Sequence, residues 1–393
     1  YFMSYFVRKL YLLNNQKELC DSLSQESGTL YSQTVKLFWR TVRKKNLWLK
    51  PKHLMRLFTS NKVHAHTADA SVQMFFNALN SWKEVRKTVP TAKPPHKLHK
   101  YCAVVWKNSA IRLKNNKLIL SNGKITDSLE VDWEFKEIPV QVTMRWTGNQ
   151  YEIVCCYKEQ NSTQYIEKEE LVSVDIGQIH VGATSEGTLL NGRLLRAIRQ
   201  GAERSESILN KRISGRKKGS NRRKKLIEAK RKMLRKTKNK VSDILHKYTT
   251  GLVMYLKQWY NTLVVGDLTG YRVEKNSGSK LNQENHAWLY SRISFYLKYK
   301  WKRLGLKFEQ IEESYTSQTC LCCGEKNKPK GRNYKCKSCG FECHRDVVGA
   351  INILRKYLGT FGKKFQVDAV MIPATHGVRY SSQMSVAHGF KNL

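Results

Sequence analysis

Ten cysteines stand among the 393 residues, and six of them crowd into residues 320–343. Cys320-x-x-Cys323 and Cys336-x-x-Cys339 form two pairs separated by 12 residues. Each pair suits a tight knuckle that aims two thiolates at one ion, and four thiolates make the tetrahedral set that Zn²⁺ prefers. Gly324 and Gly340 follow the second cysteine of each pair, where such a knuckle often needs a positive φ. One structural Zn²⁺ holding a short ribbon is the predicted role, because so short a segment has little core of its own. Cys322 and Cys343 are spare. Disulfide-rich secreted chains are short and spread their cysteines, so this clustering predicts a reducing cytosol and a single zinc site.

Two carboxylates stand out next. Asp175 lies in VSVDIG, inside an apolar strand, where a carboxylate must be paired, hydrogen-bonded or bound to a metal. Asp346 opens the apolar helical segment HRDVVGAINIL, where the plain alternative is a helix N-cap. Together, in a basic chain, they point to shared Mg²⁺ ions. Two-metal phosphodiester cleavage needs carboxylates that hold ions about 4 Å apart, one at the attacking water and one at the leaving oxygen. His344-Arg345-Asp346 does not make a protein-kinase catalytic loop: Asn352 is one residue too far, and no glycine-rich phosphate loop precedes it.

The charge balance names the partner class. Lys plus Arg is 71 against 31 Asp plus Glu, a formal net charge of +40. Self-repulsion of that size calls for a polyanion and argues against a small-molecule enzyme with a balanced surface. No apolar run reaches 18 residues, which excludes a spanning helix, and the first residues do not read as a secretory signal. Nucleic acid is therefore the expected partner, and a membrane is not. Residues 211–240 hold 16 Lys or Arg among 30, opposed by Glu228 alone. A solvated helix face is the bland reading of such a run. Its one-signed charge favours phosphate contact with counterion release, through Arg216, Lys217, Lys218, Arg222, Arg223, Lys224 and Lys225.

These groups need elements to place them. Residues 4–13 read as a strand, and 15–88 as two to four helices with apolar positions at three- and four-residue spacings. The proline-rich stretch 89–98 reads as a linker, and 101–170 as short strands of a small antiparallel barrel. LVSVDIG, VGATSEGTLL, TLVVGDL and LKFEQIEE read as strands. Helices are expected over about 202–260, 285–304 and 346–357, which makes an α/β layered domain. An Asp on the first strand, a carboxylate from a later strand and an Asp on a late helix resemble the RNase H-like arrangement. Residues beyond about 358 have few periodic apolar positions and predict a loosely packed tail.

SVDIG, VVGDL, ESYTSQTC-x-x-CG, a second C-x-x-C and RDVVGAINIL occur in the order found in TnpB proteins. The chain resembles that family specifically over about 171–355, and more weakly before it. TnpB proteins are transposon-encoded RNA-guided DNA nucleases, related to compact type V CRISPR effectors and to Fanzor proteins. The resemblance implies a multidomain α+β chain. A wedge-type β-barrel (1–14 and 96–170) would be interrupted by a helical recognition domain (15–95). An RNase H-like, RuvC-type domain (171–318 and 341–358) would carry an inserted four-cysteine zinc ribbon (319–340), before the tail 359–393. It makes Asp175 the first and Asp346 the third RuvC carboxylate, and Cys320, Cys323, Cys336 and Cys339 the zinc ligands.

One position departs from the family pattern. The second motif usually carries Glu before Asp-Leu, and VVGDL has Gly266 there. Asp267 is adjacent but faces the opposite side of a strand, and Glu312 and Glu313 face opposite ways at the end of LKFEQIEE. Periodicity leaves these three open; the resemblance selects Glu313, the relocated position of some relatives. It implies an Mg²⁺-dependent endonuclease with two ions and one Zn²⁺, guided by an omega-like RNA and monomeric on it. That enzyme would cut double-stranded DNA beside a target-adjacent motif. It would be cytoplasmic and nucleoid-associated in a prokaryote, or nuclear in a Fanzor relative. A nuclease-dead RNA-guided DNA-binding repressor and a compact type V CRISPR effector are the alternatives.

Overall fold

A computed structural model describes residues 4–12, 16–148, 150–159, 169–267, 289–329 and 331–362. The chain divides into two compact units, residues 1–160 and 161–393.

In the first unit, β1 (Ser4–Tyr11) leads into three helices, α1 (Lys17–Lys45), α2 (Pro51–Leu57) and α3 (Ala65–Thr88). Pro51 starts α2, where its missing N–H costs nothing. Six strands follow: β2 (Val104–Lys107), β3 (Ile111–Lys114), β4 (Lys117–Leu120), β5 (Leu129–Asp132), β6 (Gln141–Trp146) and β7 (Tyr151–Glu159). All pair antiparallel, and β1 joins them through β7. Among the described residues they form two sheets, β1-β7-β6-β2 and β3-β4-β5, instead of one closed barrel. A 3₁₀ turn over Asn108–Ala110 carries the chain from β2 in one sheet to β3 in the other. Both sheets share one core with the helices: Leu23, Leu30 and Ala68 pack with Trp106, Leu118 and Met144. The helical segment is thus an insertion that contributes to the strands' own core.

The second unit is built on β8 (Leu171–Asp175), β9 (His180–Thr184), β10 (Leu189–Asn191), β11 (Thr262–Asp267) and β12 (Lys307–Glu312), in the sheet order β10-β9-β8-β11-β12. The first three form an antiparallel meander; β11 is parallel to both β8 and β12. The helical crossover between β10 and β11 is a hairpin of α4 (Arg193–Ser214) and α5 (Asn221–Leu256), and α6 (Tyr290–Arg303) joins β11 to β12. Strand alternation divides the faces. Val172 and Val174 of β8 and Leu263 and Val265 of β11 pack with Leu245, Leu252 and Trp301 of α5 and α6. Ser173 and Asp175 face the other way, toward α7 (Arg345–Tyr357), whose Ala350 carbonyl accepts from Ser173 Oγ at 2.6 Å. A small hairpin, β13 (Asn333–Lys335) and β14 (Glu342–His344), runs straight into α7. The hairpin ends at His344, beyond residue 340, where the ribbon was expected to end. Residues 285–288 of the expected helix and 363–393 of the expected tail lie outside the described residues.

Candidate active site

Asp175 is the last residue of β8, and Asp346 lies in the first turn of α7, which crosses that strand's polar face. The crossing is close. A Cβ built on Gly349 would run into Asp175 Oδ2, so any larger residue there would push this carboxylate aside. Desolvation, reinforced by the charge of Asp346, pushes the Asp175 carboxyl up to about 7 against the pull of Arg345 and Arg332.

Register decides which glutamate can join it. Ser173 pairs with Val264, so Ser173 and Asp175 share a face with Val264 and Gly266. Gly266 pairs with Ile311, and Asp267 with Glu312. The next residue, Glu313, thus returns to the Gly266 face, just past the end of β12. A Cβ on Gly266 would collide with Glu313 Oε2 and come within 3.1 Å of its Cβ and Cδ. The Glu313 side chain fills the space that a side chain at 266 would occupy. Burial, then the charge of Asp175, push the Glu313 carboxyl up to about 8. Its Oε2 is buried without a hydrogen-bond partner. An orphaned carboxylate oxygen beside a second elevated carboxylate is a donor set that fits a divalent cation.

Glu312 does not share this environment. It is exposed, accepting from Lys356 Nζ at 2.7 Å and from the Ser314 amide at 2.6 Å, contacts that hold its carboxyl below the usual range.

Asp346 is fixed by other partners. His180 Nδ1 lies 2.7 Å from its Oδ2, and Arg332 Nη1 lies 2.9 and 3.0 Å from Oδ1 and Oδ2. Desolvation opposes ionisation here, but the His180 hydrogen bond and the Arg332 charge outweigh it and hold the carboxyl below its ordinary value. The N-cap of α7 is His344, whose Nδ1 accepts from the Asp346 amide at 3.3 Å, which leaves the Asp346 side chain free of a capping role. His180, Arg332 and Gly349 were not singled out in the sequence; the one available signal was a glycine inside a helical pattern.

The four paired cysteines converge. The ligand atoms of Cys320, Cys323, Cys336 and Cys339 all lie within 4.8 Å of one another. Sγ–Sγ separations are 3.6 Å for Cys320–Cys339 and 3.5 Å for Cys323–Cys336. A disulfide needs about 2.05 Å, whereas a tetrahedron with Zn–S of about 2.3 Å has edges of roughly 3.8 Å. Gly324 and Gly340 both have positive φ, +76° and +75°, as the knuckles require. Tyr334, fully buried, donates its hydroxyl to the Gln318 carbonyl at 3.1 Å, and Cys322 and Cys343 flank this small core outside the ligand group.

The basic run forms the tip of the α4–α5 hairpin. Arg216, Lys217, Lys218, Arg222, Lys224 and Lys225 are exposed. Arg223 is the exception: its Nη1 donates to the Arg216 carbonyl at 3.1 Å, tying the turn, while its amide is capped by Ser220.

With this geometry in view, the similarities are informative. Residues 154–272 match a family described as "Probable transposase" (OrfB_IS605), and residues 290–353 match the Cas12f1-like TNB domain. A TnpB-like protein of Methanocaldococcus jannaschii is 35% identical over 153 residues, covering 38% of this chain and 55% of the relative. Over these residues the chain is similar to TnpB-like proteins. The CRISPR-associated endodeoxyribonuclease Cas12f1 of Sulfoacidibacillus thermotolerans is 27% identical over 247 residues, 60% of this chain and 57% of the relative. The chain thus spans little more than half the length of these two curated relatives. A Cas12f1 chain solved in a complex with sgRNA and target DNA matches with a TM-score of 0.59 at 12% identity, over 87% of this chain and 83% of that one. That likeness shows a shared mixed α+β fold. No helix among the described residues is long and apolar enough to cross a membrane.

Proposed function

We propose that this chain is an RNA-guided DNA endonuclease of the TnpB family, whose RuvC-type centre consists of Asp175, Glu313 and Asp346. The observation that carries the reading is Glu313. The sequence lacks the usual glutamate at Gly266, and another carboxylate fills the vacated space, beside Asp175. Two raised carboxyls facing each other are a cost in a metal-free chain, and a dication relieves it.

Mg²⁺ held by these carboxylates would supply an activated water and stabilise the leaving oxygen of a cleaved phosphodiester. The chain's own residues do the rest. Asp175 and Glu313 give up protons near neutrality and offer ionised oxygens on one face of the sheet. Gly349 lets α7 close over that face, and His180 with Arg332 fixes the carboxylate of Asp346. The four-cysteine ribbon, closed by one Zn²⁺, sets the position of β14 and therefore of the first turn of α7. The exposed cations of the α4–α5 tip neutralise phosphates of guide RNA or target DNA. In this reading the first unit contacts the target-adjacent motif, and the guide reads sequence by base pairing.

The test is to sequence the RNA that copurifies with the chain, then challenge the complex with a target library carrying randomised flanks. Cleavage next to one short motif, lost in Asp175→Ala and Glu313→Ala with target binding retained, is the expected result. Guided binding without cleavage by the wild-type chain would instead establish a nuclease-dead binder.

A further inference from the structure

Asp346 belongs to a second constellation. His180 opens β9, His344 ends β14, and Asp346 lies in the first turn of α7. Each offers one ligand atom, and these atoms all lie within 4.8 Å of one another. The imidazole rings are 5.1 Å apart at 71°, edge to face, so the two histidines approach from different directions. His180 and Asp346 are largely enclosed, with side chains 17% and 14% exposed.

We propose that His180, His344 and Asp346 form a mixed nitrogen–oxygen position for one divalent transition-metal ion, distinct in chemistry from the all-oxygen Asp175–Glu313 side. The inference rests on the reading of Asp346 as a member of the catalytic centre, and it assigns that centre a metal preference.

Ligands about 2.1 Å from an ion and at right angles to each other are roughly 3.0 Å apart. The 2.7 Å separation of His180 Nδ1 and Asp346 Oδ2 is close to such an edge. Imidazole suits Zn²⁺, Fe²⁺ and their neighbours, whereas Mg²⁺ takes oxygen and water. The three ligands come from three separate elements, which fixes their spacing before any ion arrives. His344 is held only loosely, by a 3.3 Å contact with the Asp346 amide, and can give it up to a stronger partner. Two features oppose a cation. Arg332 occupies both Asp346 oxygens, and Arg345 adds a further positive charge nearby. An entering ion must therefore displace Arg332 from Asp346 and replace the 2.7 Å contact between His180 and Asp346.

The probe is Mn²⁺, added to the intact chain whose ribbon zinc has first been quantified; the soft thiolate site favours the zinc already there. Pulsed electron paramagnetic resonance reads ¹⁴N coupling from directly bound imidazole. The expected result is a ¹⁴N signal in the wild-type chain and its loss in His180→Ala/His344→Ala, with Mn²⁺ affinity down tenfold or more. Arg332→Gln should tighten binding. Unchanged zinc content and melting temperature show that each variant is folded. Bound Mn²⁺ without nitrogen coupling, or a double variant that keeps the signal, overturns the proposal. If Mn²⁺ binds only through Asp175 and Glu313, lost in Asp175→Asn and unaffected by the histidine changes, the nuclease reading stands and this inference falls. If no Mn²⁺ binds at all, both fall.

Discussion

Glu313 and Gly266 are best understood together. One residue lacks a side chain, and the other, from the neighbouring strand, occupies its place. Returning a glutamate to position 266 therefore does more than restore a motif: Gly266→Glu would drive two carboxylates into one space. Glu313→Ala is expected to lower cleavage by on the order of 10³-fold or more while guide and target binding persist, as for removal of a centre that stabilises transition-state charge. Glu312→Ala should leave cleavage within a few-fold of wild type, since that side chain is committed to Lys356 and Ser314 at the surface. The measure is cleavage of a matched target by complexes of equal binding, and near-normal cutting by Glu313→Ala moves the assignment to Asp267 or Glu312. The compensated double variant Gly266→Glu/Glu313→Ala is expected to recover part of the lost activity.

The same two raised carboxyls predict a pH dependence of the metal-free chain. Asp175 at about 7 and Glu313 at about 8 bind protons more tightly when folded than when unfolded, where carboxyls titrate near about 4. Both contributions favour the fold below that pH, and both are lost as pH rises through the folded values. Asp346, whose carboxyl is lowered, runs the other way and supports the fold until pH drops through its folded value. Thermal melting in magnesium-free buffer, with the ribbon zinc retained, should therefore show a higher midpoint at pH 6 than at pH 8. Asp175→Asn should flatten that difference and raise the pH 8 midpoint, by about 2–4 °C for each kcal/mol of repulsion removed. A wild-type midpoint that climbs from pH 6 to pH 8 contradicts this account.

At the scale of elements, the cysteine-bearing hairpin and the strand–helix crossing hold the proposed centre. Removing any one of Cys320, Cys323, Cys336 or Cys339 should release the zinc and unfold the β13–β14 hairpin, because metal binding at such a site supplies on the order of 10 kcal/mol of folding free energy. Cys322→Ser and Cys343→Ser should keep one zinc per chain. Metal analysis of the six variants decides it; full zinc in all four ligand variants contradicts the assignment. The hairpin leads directly into α7, so the four ligand variants are also expected to weaken cleavage without a change at any carboxylate. The convergence of these four cysteines was legible in the sequence because two C-x-x-C pairs carry their geometry in their spacing. Asp175 was legible too, as a charge in an apolar strand. The placement of Glu313, and not Glu312, on the Gly266 face needed more: it follows from the parallel register of β11 and β12, which alternation within one strand cannot supply. His180 and Arg332 were invisible because their importance lies in contacts made 166 and 14 residues away along the chain. The strands expected in one barrel pair as two sheets, a partition that apolar alternation within each strand does not encode.

At the scale of the molecule, the +40 charge is organised. The apolar residues of α5 are concentrated in its C-terminal half, with its buried positions running from Val241 to Leu256, while the N-terminal half and the turn before it carry the exposed cations. The tip is therefore a charged projection whose fold is secured elsewhere. Six of its seven candidate residues can be neutralised without touching a structural contact, and Arg223, which ties the turn, cannot. Each phosphate contact contributes about 0.7 to the salt slope of binding for a single strand and about 0.9 for a duplex. Replacing Arg216, Lys217, Lys218, Arg222, Lys224 and Lys225 with Gln should thus reduce the slope of log affinity against log salt by up to about 4 on single-stranded RNA, or about 5 on duplex, with the melting temperature nearly unchanged. Arg223→Gln should instead lower the melting temperature and alter the slope by about 1 or less. The comparison separates a phosphate-binding tip from a merely solvated one. If the sixfold variant binds RNA and target with the wild-type slope, the charge at this tip serves solubility, and the contacts that neutralise the nucleic acid lie on another surface of the chain.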